Sequence, residues 1–493
     1  MARQRIVVIG AGIGGLVAAL LLAAQGHTVT LVEKEAEPGG KMRRVTVGGS
    51  VIDAGPTVMT MRWVFDRIFS DIGAGLDDHL RLERAAILAR HAWSDSERLD
   101  LFADRRASAD AIGAFAGPRE AGNFLAFCEQ SRAVHDALKD SFMARERPGP
   151  LALVRRAGLG PLLQANPFGT LWGALGRRFG DPRLRQLFAR YATYCGSSPF
   201  AAPAILMLVA HVEQEGVFLV EGGMHRLAQV LAELAQARGA TLRYGQAAGE
   251  ILIADGRVGG VRLADGEEIP AAIVISNADL NALASGRLGG AVARHAAPVP
   301  ARARSLSAVT FALRAETSGF PLQRHNVVFG RDYRAEFDAI FKRGRLPDDP
   351  TIYVCAQDRD GEGSMAGGVP ERLLILVNAP PSGDGAPLPQ AEIERCRDRV
   401  FTKLARCGLT IAPGAELTTQ PADWERLYPG TGGALYGRAT HGALASFARP
   451  GSRSRLKGLY WAGGSVHPGP GVPMAALSGL LAAQAVAADL AST

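Results

Sequence analysis

The sequence predicts an α/β protein in three parts: a doubly wound parallel core, an antiparallel sheet and an inserted helical cap. Three observations carry this. A strand runs through a glycine turn into a helix near each end of the chain, at 5–22 and again at 458–490. Strand-like runs alternate between 301 and 417, and residues 107–211 read as helical with no strand–helix–strand repeat.

In the opening unit, Arg5–Ile9 is an apolar, β-branched run of the kind buried in a parallel sheet, and Leu16–Leu22 reads as a helix. Between them Gly10, Gly12 and Gly15 fall on G-x-G-x-x-G, with Ala11, Ile13 and Gly14 interleaved. Glycine leaves no side chain between backbone and ligand, and the helix start offers unpaired N–H groups to a pyrophosphate. The strand Thr28–Val32 ends in Glu33, eighteen residues past Gly15, where a carboxylate accepts ribose hydroxyls; Lys34 follows. Strand, helix and acid together select a Rossmann-like dinucleotide site over a chance glycine turn.

The segment from Glu37 to Arg44, with Gly40 and Lys41, resembles the flavoprotein oxidoreductases of the amine oxidase and phytoene desaturase group, which implies FAD instead of NAD. Next comes Asp53-Ala54-Gly55-Pro56-Thr57-Val58. In that group a similar stretch passes beside the flavin ring, so Gly55, Pro56, Thr57 and Val58 are cofactor candidates. Asp53 is a candidate catalytic group, set against the favoured alternative of a loop-bracing carboxylate.

The totals exclude several classes. The 493 residues are 47% apolar and 21% charged, enough for a large core and unlike a disordered chain. Lysine supplies only six of the 55 basic residues, so the net charge of +7 gives no reason to expect nucleic-acid binding. The five cysteines form no C-x-x-C pair; they read as reduced thiols in a cytoplasmic setting, and no metal site is expected. Met1–Gln4 leads straight into the first strand, so no secretory leader is expected. Phe200–Val212 is too short to span a bilayer, and Val472–Leu490, interrupted by Ser478, Gln484 and Asp489, reads as a buried helix.

Along the chain we expect the cofactor domain at 1–66, 214–285 and 456–493, the substrate domain at 67–106 and 286–455, and the cap at 107–213. Between Phe142 and Arg190 the cap carries nine arginines (145, 147, 155, 156, 177, 178, 183, 185 and 190) against Glu146 and Asp181. Leu151, Leu153, Val154, Leu159, Leu162, Leu163, Phe168, Leu171, Trp172 and Leu175 are interleaved with them. This pattern fits a segment lying on an anionic bilayer; the alternative is a solvated basic face over an ordinary core. In the second cofactor segment, Ile251–Ile275 reads as a small antiparallel meander. In FAD proteins of the group a residue just before it, here Ala248, meets the adenine.

Near the C-terminus, Gly458–Trp461 enters a second glycine turn: Gly463-Gly464-Ser465-Val466-His467-Pro468-Gly469-Pro470-Gly471-Val472-Pro473-Met474. Gly464, Val472, Pro473 and Met474 are cofactor candidates there. His467 is a candidate proton acceptor, against the favoured reading of a turn-bracing ring. In order, GAGIGG with Glu33, GGK, DAGPTV, VEGGM, VISNAD and GGSVHPGPGVPMAALSG resemble the bacterial carotenoid desaturases of the phytoene desaturase type. Among these the chain is most similar to the 1-hydroxycarotenoid 3,4-desaturases (hydroxyneurosporene or methoxyneurosporene desaturases) of phototrophic bacteria.

The resemblance implies FAD-dependent desaturation of an acyclic hydroxylated carotenoid, with oxygen or a quinone as final acceptor. It also implies peripheral attachment to the inner or photosynthetic membrane. A phytoene desaturase, another carotenoid desaturase or isomerase, a carotenoid carrier and, more remotely, a flavin amine oxidase share the fold and stay open. Amine oxidases usually place an acid where this chain has Ser465.

Overall fold

A computed structural model describes residues 3–157, 169–365 and 370–492. Its centre is a five-stranded parallel sheet in the order Leu459–Trp461, Ile273–Ser276, Arg5–Ile9, Thr28–Val32 and Thr241–Arg243. Strands far apart in sequence pair directly, as in Val8 with Ile275 and Leu31, and Ile275 with Tyr460. A three-stranded meander, Ala248–Ala254, Arg257–Leu263 and Glu268–Pro270, follows the last connection.

The helix Ile13–Ala24 is apolar on all sides, and Ile13 to Ala23 are all buried. It lies between helices Val472–Ala491 and Met224–Ala237. At the first contact the backbones touch: a Cβ built on Gly479 would stand 2.1 Å from Gly14 O, and one on Gly14 would stand 2.9 Å from Ala475 O. Val472–Ala491 is long and apolar enough to cross a membrane, yet Ala476, Leu477, Leu480, Ala482 and Val486 belong to the core of the parallel-sheet domain. This helix packs; it does not present a free apolar surface.

A second sheet has seven strands in the order Leu409–Thr419, Ser307–Gly319, Glu371–Ala379, Ile352–Ala356, His325–Val328, Ile87–Ala92 and Arg98–Phe102. It is antiparallel except where His325–Val328 meets Ile87–Ala92. The two-residue period of a strand divides its labour. Leu373, Ile375 and Val377 pack with Ile393, Cys396, Val400 and Leu404 of helix Gln390–Arg406. Leu374, Leu376 and Asn378 line a cavity on the other face.

The cap holds helices Arg105–Ala116, Pro118–Leu138, Pro150–Ala157, Leu171–Arg178, Pro182–Ala189 and Leu208–Glu215. Here the expected basic, apolar surface is cut down. Leu153, Leu171 and Leu175 are buried, and Trp172 packs on Phe200 with ring centroids 4.7 Å apart. Five of the nine arginines are held by the protein itself, among them Arg145, which donates to Asp140 O (2.9 Å). Arg178 donates to Gln130 Oε1, Arg183 pairs with Asp181 and Glu97, Arg185 donates to Phe179 O, and Arg190 pairs with Glu213. Arg145, Arg147, Arg155, Arg156 and Arg177 are exposed. Leu159, Leu162, Leu163 and Phe168 lie outside the described residues.

The close contact between the two helices yields a prediction. Gly479→Val should destabilise the protein by about 1–3 kcal/mol by overpacking, read as a lower urea midpoint than that of wild type.

Candidate active site

The strand Arg5–Ile9 delivers the chain to Gly10, whose φ of +94° turns it back while its N–H donates to Val32 O (2.8 Å). The neighbouring strand Ile273–Ser276 ends beside it, and the next residue, Asn277, enters the turn. A Cβ on Gly12 would stand 2.7 Å from Asn277 Nδ2; on Gly14 and Gly463, 2.8 and 2.9 Å from Asn277 Oδ1; on Gly15, 2.1 Å from Gly10 O. Real side chains do not fit at these distances, so the glycines are required by close approach. Gly39 N–H donates to Ala11 O (2.8 Å), which brings the Gly39–Lys41 segment against the same turn.

No side chain caps helix Ile13–Ala24 or helix Val472–Ala491, so N–H groups at both starts are free to meet an anion. Both starts border one cavity of about 1030 Å³. Every predicted cofactor residue except Ala11 and Gly15 lines it. Those two are spent inside the turn: Ala11 N–H donates to Glu33 Oε2 (2.7 Å), and Gly15 packs on Gly10. Glu33 Oε1 also accepts from Glu35 N–H (2.9 Å). Burial pushes the Glu33 carboxyl up, while these two N–H groups favour its charged form. Each oxygen keeps a lone pair for a ribose hydroxyl.

The structure places Asp53 and His467 in bracing contacts and not on the cavity. Asp53 does not line the cavity; its Oδ2 accepts from Met224 N–H (2.6 Å) and caps helix Met224–Ala237 across the fold. A Cβ on Gly223 would stand 2.2 Å from that oxygen, and Gln357 clamps the Asp53 backbone from the other side (3.0 and 2.8 Å). His467 is 1% exposed, and its Nε2 faces Phe142 O and Arg145 O (3.0 and 2.9 Å). Burial lowers its pKa, so the neutral ring ties the cap to the C-terminal glycine segment and offers no base to the cavity.

Three site residues escaped the sequence reading. Asn277 belongs to VISNAD, where its neighbours in sequence give no sign of the turn it enters. Tyr428, whose OH donates to Gly40 O (2.9 Å), carried no signal. Neither did Arg449, a buried cavity residue donating to Gly464 O (3.1 Å) and Arg438 O (2.7 Å). Burial lowers the Arg449 guanidinium to about 10. Lys41, also lowered by burial, donates to Leu435 O (2.6 Å).

A glycine cradle that any Cβ would fill, two uncapped helix starts and an acid at a strand end, all on one long cavity, define a dinucleotide-dependent oxidoreductase and fit FAD. The chain belongs to the flavin containing amine oxidoreductase family, whose pattern it matches over residues 13–487, and within it to the carotenoid desaturases of the phytoene desaturase type. It is 56% identical to hydroxyneurosporene desaturase of Rubrivivax gelatinosus over 99% of this chain and 94% of that protein. With hydroxyneurosporene desaturase of Cereibacter sphaeroides it shares 46% over 99% and 98%. An oxidoreductase from Methanosarcina mazei superposes with a TM-score of 0.63 at 15% identity, covering 97% of this chain and 99% of that one, which shows the shared fold. The cofactor is FAD.

Gly12→Val should abolish FAD retention through the clash with Asn277. Glu33→Gln should weaken it tenfold or more, since a hydrogen bond to a charged group contributes about 1.5–3 kcal/mol. Flavin absorbance per protein after gel filtration measures both.

Proposed function

We propose that this chain oxidises the C3–C4 bond of an acyclic carotenoid bearing a tertiary hydroxyl at C1, using bound FAD. The relatives' names as hydroxyneurosporene desaturases support this reading, and one structural observation carries it. Beyond the glycine cradle the cavity continues as an apolar lobe walled by Met61, Leu138, Phe142, Leu206, Val209 and Val212, which suits a polyene.

In this reading Gly10–Gly14, Glu33, Lys34, Gly40, Lys41, Gly55–Val58, Ala248, Gly464 and Val472–Met474 would hold the cofactor. Bound FAD supplies the hydride acceptor. Lys41 and Arg449 bring positive charge to the wall without a carboxylate in hydrogen-bond contact among the described residues, and they suit the pyrophosphate. The apolar lobe excludes water and aligns the allylic carbon. Charge left on that carbon spreads along the conjugated chain, so the remaining proton leaves to a weak acceptor and neither Asp53 nor His467 is needed as a base.

The substrate is insoluble in water, which supports collection from a membrane at the cytoplasmic face, with oxygen or a membrane quinone as terminal acceptor. The exposed Arg145, Arg147, Arg155, Arg156 and Arg177 would carry the docking; each contributes about 1 kcal/mol near an anionic surface.

FAD-loaded protein in liposomes with 1-hydroxylated acyclic carotenoid should shift product absorbance to longer wavelength; turnover of phytoene alone, or of a primary amine alone, would refute the reading. Arg147, Arg155, Arg156 and Arg177 changed together to Glu should release the protein from anionic liposomes with FAD content intact. High salt should do the same to wild type. Binding insensitive to both would place the membrane contact elsewhere.

A further inference from the structure

One wall of the cavity contains a polar relay whose side-chain hydroxyls the chemistry above leaves unused. Thr57 lies in the loop after Asp53. That loop is locked against the glycine–lysine segment, since a Cβ on Gly55 would stand 1.9 Å from Lys41 O. Its Oγ1 is 2.6 Å from Tyr353 OH, and Tyr353 OH is 2.7 Å from His325 Nδ1. Thr57 and Tyr353 line the cavity; His325 stands behind them, buried, and its Nε2 has no partner among the described residues. The Cys355 thiol, a weak partner, lies beside both hydroxyls. Val58, Val327, Leu374 and Leu376 line the same cavity, and the polar cavity residues that act on this pair, Tyr194 and Arg190, are already engaged by Glu213.

Burial holds the His325 ring down to about 3 and the Tyr353 phenol far above its ordinary value, so both are neutral. A neutral chain of three groups joined by two hydrogen bonds has an unused end. If the ring donates to Tyr353 and Tyr353 to Thr57, the Thr57 proton is left for a ligand. If the direction reverses, Thr57 presents lone pairs instead. An alcohol is the ligand class that satisfies either state, being donor and acceptor at once.

We propose that Thr57 and Tyr353, positioned by His325, form the subsite that binds the terminal tertiary hydroxyl and so selects which end of the polyene is oxidised. This rests on the function proposed above. In that substrate only C2 separates the hydroxyl carbon from the oxidised bond, so the hydroxyl must bind beside the reacting carbons. The 55–58 loop touches the glycine–lysine segment at Gly55 and leads on to Met61, a lining residue of the lobe.

The test compares kcat/KM, per bound FAD, for a 1-hydroxylated acyclic carotenoid and for the same carotenoid without the hydroxyl, both in liposomes. Tyr353→Phe and Thr57→Val should each lower the wild-type preference for the hydroxylated substrate at least tenfold, because a site built around a hydroxyl discriminates through the partner left unpaired. Thr57→Ser should retain the preference. Equal losses on both substrates, or an unchanged ratio in both variants, would overturn the subsite and leave the functional reading standing. Wild-type protein with no turnover of the hydroxylated substrate would overturn that reading, and the subsite with it.

Discussion

The interaction on which the rest depends is the contact of several backbones around one amide, Asn277. The turn at Gly10–Gly15, the end of strand Ile273–Ser276 and the turn at Gly463 converge there, and glycine is the only residue that lets them. Because they converge, two helix starts face one cavity and Glu33 lies beside the first of them. The same closeness continues along the helix pair, where Gly14 and Gly479 touch. A side chain at any of these positions would separate segments that hundreds of residues keep apart in sequence.

The second sheet and the cap are organised by the cavity they enclose. Alternate residues of Glu371–Ala379 face helix Gln390–Arg406 and the cavity, so one strand both anchors the domain and shapes the lobe. Arg190, a cavity residue, and Glu213 form an ion pair at 3.3 Å with side chains 11% and 5% exposed. Tyr191 and Tyr194 donate to the same carboxylate. Removing two charges from water costs several kcal/mol per ion, so such a pair persists only when its remaining groups are satisfied. Breaking it would leave a buried charge against the lobe; its value lies in fixing helix Leu208–Glu215 against the turn at Arg190–Cys195.

Elements hidden from sequence reading were hidden for identifiable reasons. Strand Leu409–Thr419 contains Pro413-Gly414, which argues against a strand; it is tolerated because this is an edge strand with a register shift at that point. Strand His325–Val328 is short and half polar, yet wholly buried, because Asn326 is satisfied by Gln323 O and Val354 O. The hairpin Arg44–Val47 and Ser50–Asp53 turns on Gly48-Gly49, both at positive φ, inside a stretch already read as motif.

The sequence by itself determined the parallel core, the glycine turns, Glu33 and the FAD-type signature, because strand period, helix period and close-approach glycines are local properties written in adjacent residues. Only the tertiary structure decided what the polar side chains do. Arg190 looked like one of nine surface charges and became half of a buried pair, while Asp53 caps a helix that begins at Met224. His467 clamps Phe142 and Arg145, and Arg449, unremarkable in its loop, reaches the cavity wall. A charged or hydrogen-bonding group takes its role from whichever partner lies within about 3 Å. In this fold those partners come from segments that no local pattern connects.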